Sequence, residues 1–222
     1  MFKRASKWFI LLGMVTLILG ACSEDKSSEV VATVNGEEIL KTDYETELEN
    51  TKNMYTQQGM NLDDLDDEMK EQVELSVLNQ LVNTKLVLQS AKEDGITVEQ
   101  SELDSEMDAI KSQFEDDAKY EEKLKENKIT EKELKVQVKN QLTITKYLDS
   151  TIGKIEVNED EVTGKYEEYK KALESQKQEP EDFKTIKPQL EQQVTAEKKN
   201  EKVNKLIEDL RTKNEKNIDI TL

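Results

Sequence analysis

VATVNGEEIL, residues 31–40, decides how the chain begins to fold. An Asn35-Gly36 pair sits between two short β-prone runs, and both residues tolerate positive φ, so the stretch predicts a tight two-residue hairpin. A lone hairpin is marginal in water and needs a third strand. The other end of the chain offers one: in NIDITL, residues 217–222, Ile218, Ile220 and Leu222 alternate with polar residues at strand period. The last strand is therefore expected to pair with the first ones.

Between these ends the chain reads as helix. Proline is absent from Cys22 to Glu179, only five glycines follow Cys22, and Glu, Lys, Leu and Gln dominate. Capping signals place the elements. Thr42 with Glu45 predicts a helix running to about residue 58, ended near Gly59. Asp66 or Asp67 opens a second that runs to Gly95, and its Val73, Val77, Leu78, Leu81, Val82, Leu86, Val87 and Leu88 cover more than one face, as a central buried helix requires. Thr97 or Ser101 begins a third, with Leu103, Met107, Ile110 and Phe114 at helical spacing. Thr130 with Glu133 boxes a fourth containing Leu134, Val138, Leu142 and Ile144, and Asn158 with Glu161 opens another through Tyr166 and Tyr169. A last long helix is expected from about Glu181 or Pro188 to Asn214.

The first 21 residues read as a secretory signal. Lys3, Arg4 and Lys7 precede an apolar run at residues 8–19, too short for a comfortable membrane span. Leu19-Gly20-Ala21-Cys22 resembles the lipobox of bacterial lipoproteins, which implies acylation of Cys22 with palmitate-like chains and removal of the signal. Two or three acyl chains at roughly 0.8 kcal/mol per buried CH₂ give the stable anchoring that one chain cannot. Residues 22–29 then form a polar tether and residues 30–222 the folded body. Cys22 is the only cysteine, so the fold must stand without an internal disulfide.

Charge and composition exclude several classes of function. The net charge is -17, and losing the three cations of the signal takes it to -20. Nucleic acid and anionic lipid both require basic patches, so neither is an expected partner of the body. There is no histidine, which removes the commonest general base, the Ser-His and Cys-His pairs and imidazole metal sites. The acidic run at residues 61–69, NLDDLDDEM, lacks the spaced ligands and central glycine of a calcium loop and reads as a helix N-terminus. No metal, cofactor or catalytic residue is expected.

Two stretches carry a family resemblance. VNGEEILKTDYETEL, residues 34–48, and VLNQLVNTKLVLQSAKEDGITVEQSELDSEMDAI, residues 77–110, are similar to the N-terminal chaperone domain of SurA- and PrsA-type extracytoplasmic foldases. The positions that match are Val34, Asn35, Gly36 and Ile39; Leu78, Leu81, Val82, Lys85, Leu86, Val87 and Ala91; then Gly95, Ile96 and Val98. Residues 183–222 resemble the returning helix and strand that complete this domain. The resemblance implies a mainly α fold with a small terminal sheet, divided into an N-terminal part at 30–157, an extended helix and junction at 158–182, and the return at 183–222.

In this family the region after IEVNEDEVTGKYEEYKK, residues 155–171, usually leads into a parvulin-type peptidyl-prolyl isomerase domain, which needs roughly 100 residues. Here about ten residues separate Lys171 from Pro180, so residues 171–182 (KALESQKQEPED) resemble the shortened junction where that domain would stand. The resemblance then implies a lipid-anchored holdase for unfolded or nascent exported polypeptides, held at the outer face of the cell membrane if the cell is Gram-positive. Adaptable or aromatic side chains suit such contacts, and Met54, Tyr55, Met60, Met107, Phe114 and Tyr120 are the candidates. A specific partner-binding lipoprotein on the same fold, or a degenerate isomerase, are the alternative readings.

Overall fold

The computed structural model describes residues 29–127 and 129–221. The signal, the lipobox with Cys22 and nearly all of the tether lie outside these residues, as does Leu222 of the closing segment.

The hairpin forms where the sequence places it. Strands β1 (Val30–Val34) and β2 (Glu37–Leu40) pair antiparallel across a turn with φ of 51° at Asn35 and 80° at Gly36. Positive φ at both central residues matches the right-handed twist of the strands, which is why Asn-Gly is favoured there. β3 (Ile218–Ile220) joins the free edge of β1, also antiparallel, giving the order β2-β1-β3. Backbone bonds from Asn35 N–H to Asn217 C=O and from Thr221 N–H to Val31 C=O, both 2.9 Å, extend this closure beyond β3. Val31, Ala32 and Val34 of the central strand are buried, while Ile218 packs partly against the core and Ile220 stays exposed.

Among the described residues seven α-helices follow: α1 (Lys41–Gln57), α2 (Asp67–Glu93), α3 (Gln100–Lys111), α4 (Asp117–Glu126), α5 (Glu131–Ile152), α6 (Glu159–Ser175) and α7 (Phe183–Asn214). α2 is the expected central helix, burying Val77, Leu78, Val82, Leu86, Val87 and Ala91. The main apolar cluster gathers these with β1, Tyr44 of α1, Tyr147 of α5 and Leu210 of α7. A second cluster joins Leu103 and Met107 of α3 to Val138 of α5, and a third joins Val162 of α6 to Ile186 and Leu190 of α7.

The caps differ instructively from expectation. Thr130–Glu133 and Asn158–Glu161 form their reciprocal boxes, and Asp66 accepts from Met69 N–H at 2.9 Å. The Thr42–Glu45 box does not form. β2 runs straight into α1, so Leu40 is the flanking residue, and the first helical N–H, at Lys41, donates to the Glu29 carbonyl at 2.8 Å. The third helix starts after Glu99 and ends at Lys111, leaving Phe114 in the turn that leads to α4, a separate short helix capped by Asp116. α7 starts at Phe183 after an Asp182 cap, close to the Glu181 start, and Pro188, the other expected start, lies within it.

Residues 176–182 connect α6 to α7, which pack on each other as a helical hairpin. Tyr166 OH donates to the Glu181 carbonyl at 2.8 Å, and the Tyr166 and Phe183 rings lie 5.1 Å apart. The Lys187–Glu159 and Lys198–Glu161 ion pairs, both 2.6 Å, join the two helices further along.

Farther on, α7 is fixed to α2 by the guanidinium of Arg211. It donates to Asn83 Oδ1 at 2.7 Å and to Asn79 Oδ1 at 2.9 Å, one turn apart on the central helix. Truncating it leaves two part-buried acceptors without their donor, and a hydrogen bond from a charged group contributes about 1.5–3 kcal/mol. Arg211→Ala is expected to lower unfolding free energy by roughly 1–3 kcal/mol in urea titration. Arg211→Lys should recover only part, because an ammonium lacks the planar fork that spans both amides.

Candidate functional site

α1 carries two adjacent rows of side chains with different fates. Tyr44, Leu48 and Tyr55, at helical spacing, form the row that faces inward, and Tyr44 is buried. One residue back, Asp43, Glu47, Asn50 and Met54 form a row rotated by about 100°. Its first three members line a groove of about 700 Å³.

The opposite wall comes from the α4–α5 connection and the outer face of α5. Ile129, Glu133, Val136, Gln137 and Asn140 line it, and Leu81 of α2 contributes to the lining between the walls. Val136 lies off the Leu134, Val138, Leu142 row that packs on α3, and it is 52% exposed. It therefore adds a β-branched apolar side chain to an otherwise mostly polar wall. Asn50, Asn53, Asn127, Gln137 and Asn140 bring carboxamides to both sides. Each can donate and accept at once, as peptide backbone does.

Electrostatically the groove is acidic. Asp43, Glu47, Glu49, Glu126 and Glu133 line it against one described cation, Lys132. Glu133 is held below the usual carboxylate range by hydrogen bonds from the Thr130 backbone and hydroxyl, so it stays ionised. Glu47 Oε1 accepts from Gln80 Nε2 at 3.1 Å, which ties this wall to α2.

The six residues proposed from sequence divide sharply. Met54 and Met60 are 51% and 46% exposed, and Tyr55 between them is half-buried. Met60 N–H donates to the Tyr55 carbonyl at 2.9 Å, which folds the chain back beneath the end of α1 and brings these residues together. Met54 continues the groove-lining row of α1 by one turn. Met107 and Tyr120 are buried and so occupy the interior. Phe114 is half-buried against Tyr120, edge-on at 5.6 Å, and Lys111 Nζ lies 5.1 Å from the Tyr120 ring centre. Burial pushes the Tyr120 hydroxyl up. Cys22 falls outside the described residues.

Among the described residues no group of three or more His, Cys, Asp or Glu is placed to hold a metal ion, and no helix is long and apolar enough to cross a membrane. Residues 61–67 form a 3₁₀ turn and a helix start, with Asn61 and Asp66 side chains capping backbone N–H groups.

Comparison with known proteins places this architecture. The chain belongs to the SurA-like N-terminal domain family, whose model matches residues 1–148. It is 30% identical over 181 residues to a protein named foldase protein PrsA from Caldanaerobacter subterraneus subsp. tengcongensis, covering 78% of this chain and 54% of that protein. A Clostridium botulinum protein of the same name, from strain Langeland, is 28% identical over 176 residues, covering 72% of this chain and 52% of its own length. The chain thus spans about half the length of the curated relatives it matches.

Three carboxylates in this scaffold share one titration logic. Glu102 is held down by the Lys146 ammonium and the Glu99 backbone, Glu133 by Thr130, and Glu161 by Lys198 and the Asn158 backbone. A depressed folded-state pKa contributes stability that is complete above the unfolded value, here 4.5, and is lost as pH falls through the lower folded value. The stability advantage of wild type over Glu133→Gln/Glu161→Gln should be constant at neutral pH and shrink once the pH drops below that value, read as the difference between urea midpoints.

Proposed function

We propose that the protein is a non-catalytic holdase that binds unfolded or nascent exported polypeptides along the groove between α1 and α5. One observation carries this reading. An open groove with apolar residues at Leu81, Ile129 and Val136 is walled by carboxamides, and the α1 row that lines it continues to the exposed Met54, in a chain whose relatives are named foldases. Carboxamides satisfy the main chain of any sequence, and thioethers adapt to differently shaped side chains, so the lining suits many clients.

Magnitudes favour quick exchange. Burying a single client Leu or Val side chain contributes about 1.5–3 kcal/mol. Two together give roughly 3–6 kcal/mol before ordering costs, which corresponds to about several millimolar to tens of micromolar affinity. A client held this weakly is released in time to fold.

Anchoring belongs to the same proposal. Acylation of Cys22 would hold the folded body outside the cell membrane on the polar tether, which suits a protein that meets chains as they emerge. The chain has no histidine, and residues 176–182 join α6 directly to α7, so prolyl isomerisation has no place in this reading.

Two measurements test it. Purified residues 23–222 should suppress aggregation of a reduced, unfolded client, and Met54→Asp/Val136→Asp should weaken that at least several-fold while moving stability by less than about 0.5 kcal/mol, as expected for surface positions. Full suppression by the double variant, or prolyl isomerisation by the purified wild type, would overturn the proposal. For the anchor, Cys22→Ser should lose lipid labelling and appear in the medium; a variant that stays membrane-bound would refute the role given to Cys22.

A further inference from the structure

The lining of the groove says which chains it favours. Resting on the client-binding reading above, we infer that the groove takes extended segments in which apolar residues alternate with Lys or Arg, and discriminates against anionic segments of equal apolarity. Along α1 the lining from Asp43 to Asn53 rises about 15 Å, the span of about four to five extended residues. In an extended segment successive side chains point to opposite faces. One face can then meet Leu81, Ile129 and Val136, while the other reaches the carboxylates on the rims.

Carboxylates dominate the rims on both sides, against Lys132 as the one described cation of the lining. Asp43 and Glu47 stand on α1, and Glu126 and Glu133 stand across from them at the end of α4 and the start of α5. Glu133 is fixed in its capping box and kept ionised by Thr130, so its charge is available without rearrangement. Preset charges facing a ligand steer encounter and select sign more than they add affinity. A basic side chain also has the reach to lay its methylenes along the apolar lining while its head meets a carboxylate. The same rims repel phosphate and anionic lipid headgroups.

Fluorescence anisotropy on residues 23–222 tests this with three labelled nine-residue peptides that differ only in carrying Lys, Gln or Glu at every second position. At low salt the Lys peptide should bind about tenfold more tightly than the Gln peptide and the Glu peptide most weakly, and the spread should fall to about threefold or less in 0.5 M salt as screening shortens to a few ångströms. Asp43→Asn/Glu47→Gln should lower Lys-peptide affinity about fivefold or more and leave the Gln peptide unchanged. Glu71→Gln/Glu201→Gln removes the same charge from exposed sites outside the groove and should change neither. Equal binding of the three peptides, or an equal loss in both double variants, overturns the inference. If that happens while aggregation of a neutral client is still suppressed, the holdase reading survives without the charge preference. Failure of every peptide together with failure to suppress aggregation sinks both.

Discussion

Pairing of the last strand with the first is the constraint from which the rest of the structure follows. β1 would otherwise be half of a two-stranded ribbon, which is marginal in water. β3 supplies its second neighbour and, through Asn35 N–H and Thr221 N–H, extends the ladder on either side of the three paired residues. Because β3 follows α7 after a single 3₁₀ turn, α7 has to return alongside α2 to deliver it. The Arg211 fork across Asn79 and Asn83 fixes that return beside Leu206, Ile207 and Leu210, which pack on the main cluster. Closing the ends thereby sets where α2 lies, and α1 and α5 both pack on α2.

The groove is what remains between α1 and α5 once each has buried its own apolar row. α1 gives Tyr44 and Leu48 to the main cluster, and α5 gives Val138 to α3 and Tyr147 to the main cluster. Little apolar surface is left on either to cover the other, so the rows that face across carry Asn, Gln, Asp and Glu with Val136 among them. Charges on both rims oppose collapse of the walls onto each other. The floor, on the central helix, is held by the best-packed part of the molecule, including Leu78 and Val82, both fully buried. The proposed client groove is thus carried by the part of the fold that is least free to move.

Much of this was legible in the sequence, because local signals and global fold agree. Asn35-Gly36 specified the hairpin, alternation at Ile218 and Ile220 specified the closing strand, and the Thr130 and Asn158 boxes formed as read. Failures came where a neighbour overrode a local cue. Thr42 could not cap because β2 enters α1 with no intervening turn, and Phe114 kept helical spacing past the residue where α3 actually stops. Choosing candidate contact residues by softness and aromaticity took in Met107 and Tyr120, which are buried, and did not point to the groove lined by Asp43, Asn50, Val136 and Asn140. These belong to helices some ninety residues apart in the chain, so only their mutual packing on α2 brings them together. A single hint existed: Val136 is apolar yet out of step with Leu134, Val138 and Leu142.

The most direct test of the account is amide hydrogen exchange of the purified protein with and without a saturating unfolded client. Slowed exchange should concentrate on the exposed turns of α1 over residues 43–54 and of α5 over residues 130–140, with the sheet and the α6–α7 hairpin unchanged. Protection that maps instead to the edge of β3 or to the α6–α7 hairpin, with α1 and α5 unaffected, would contradict it.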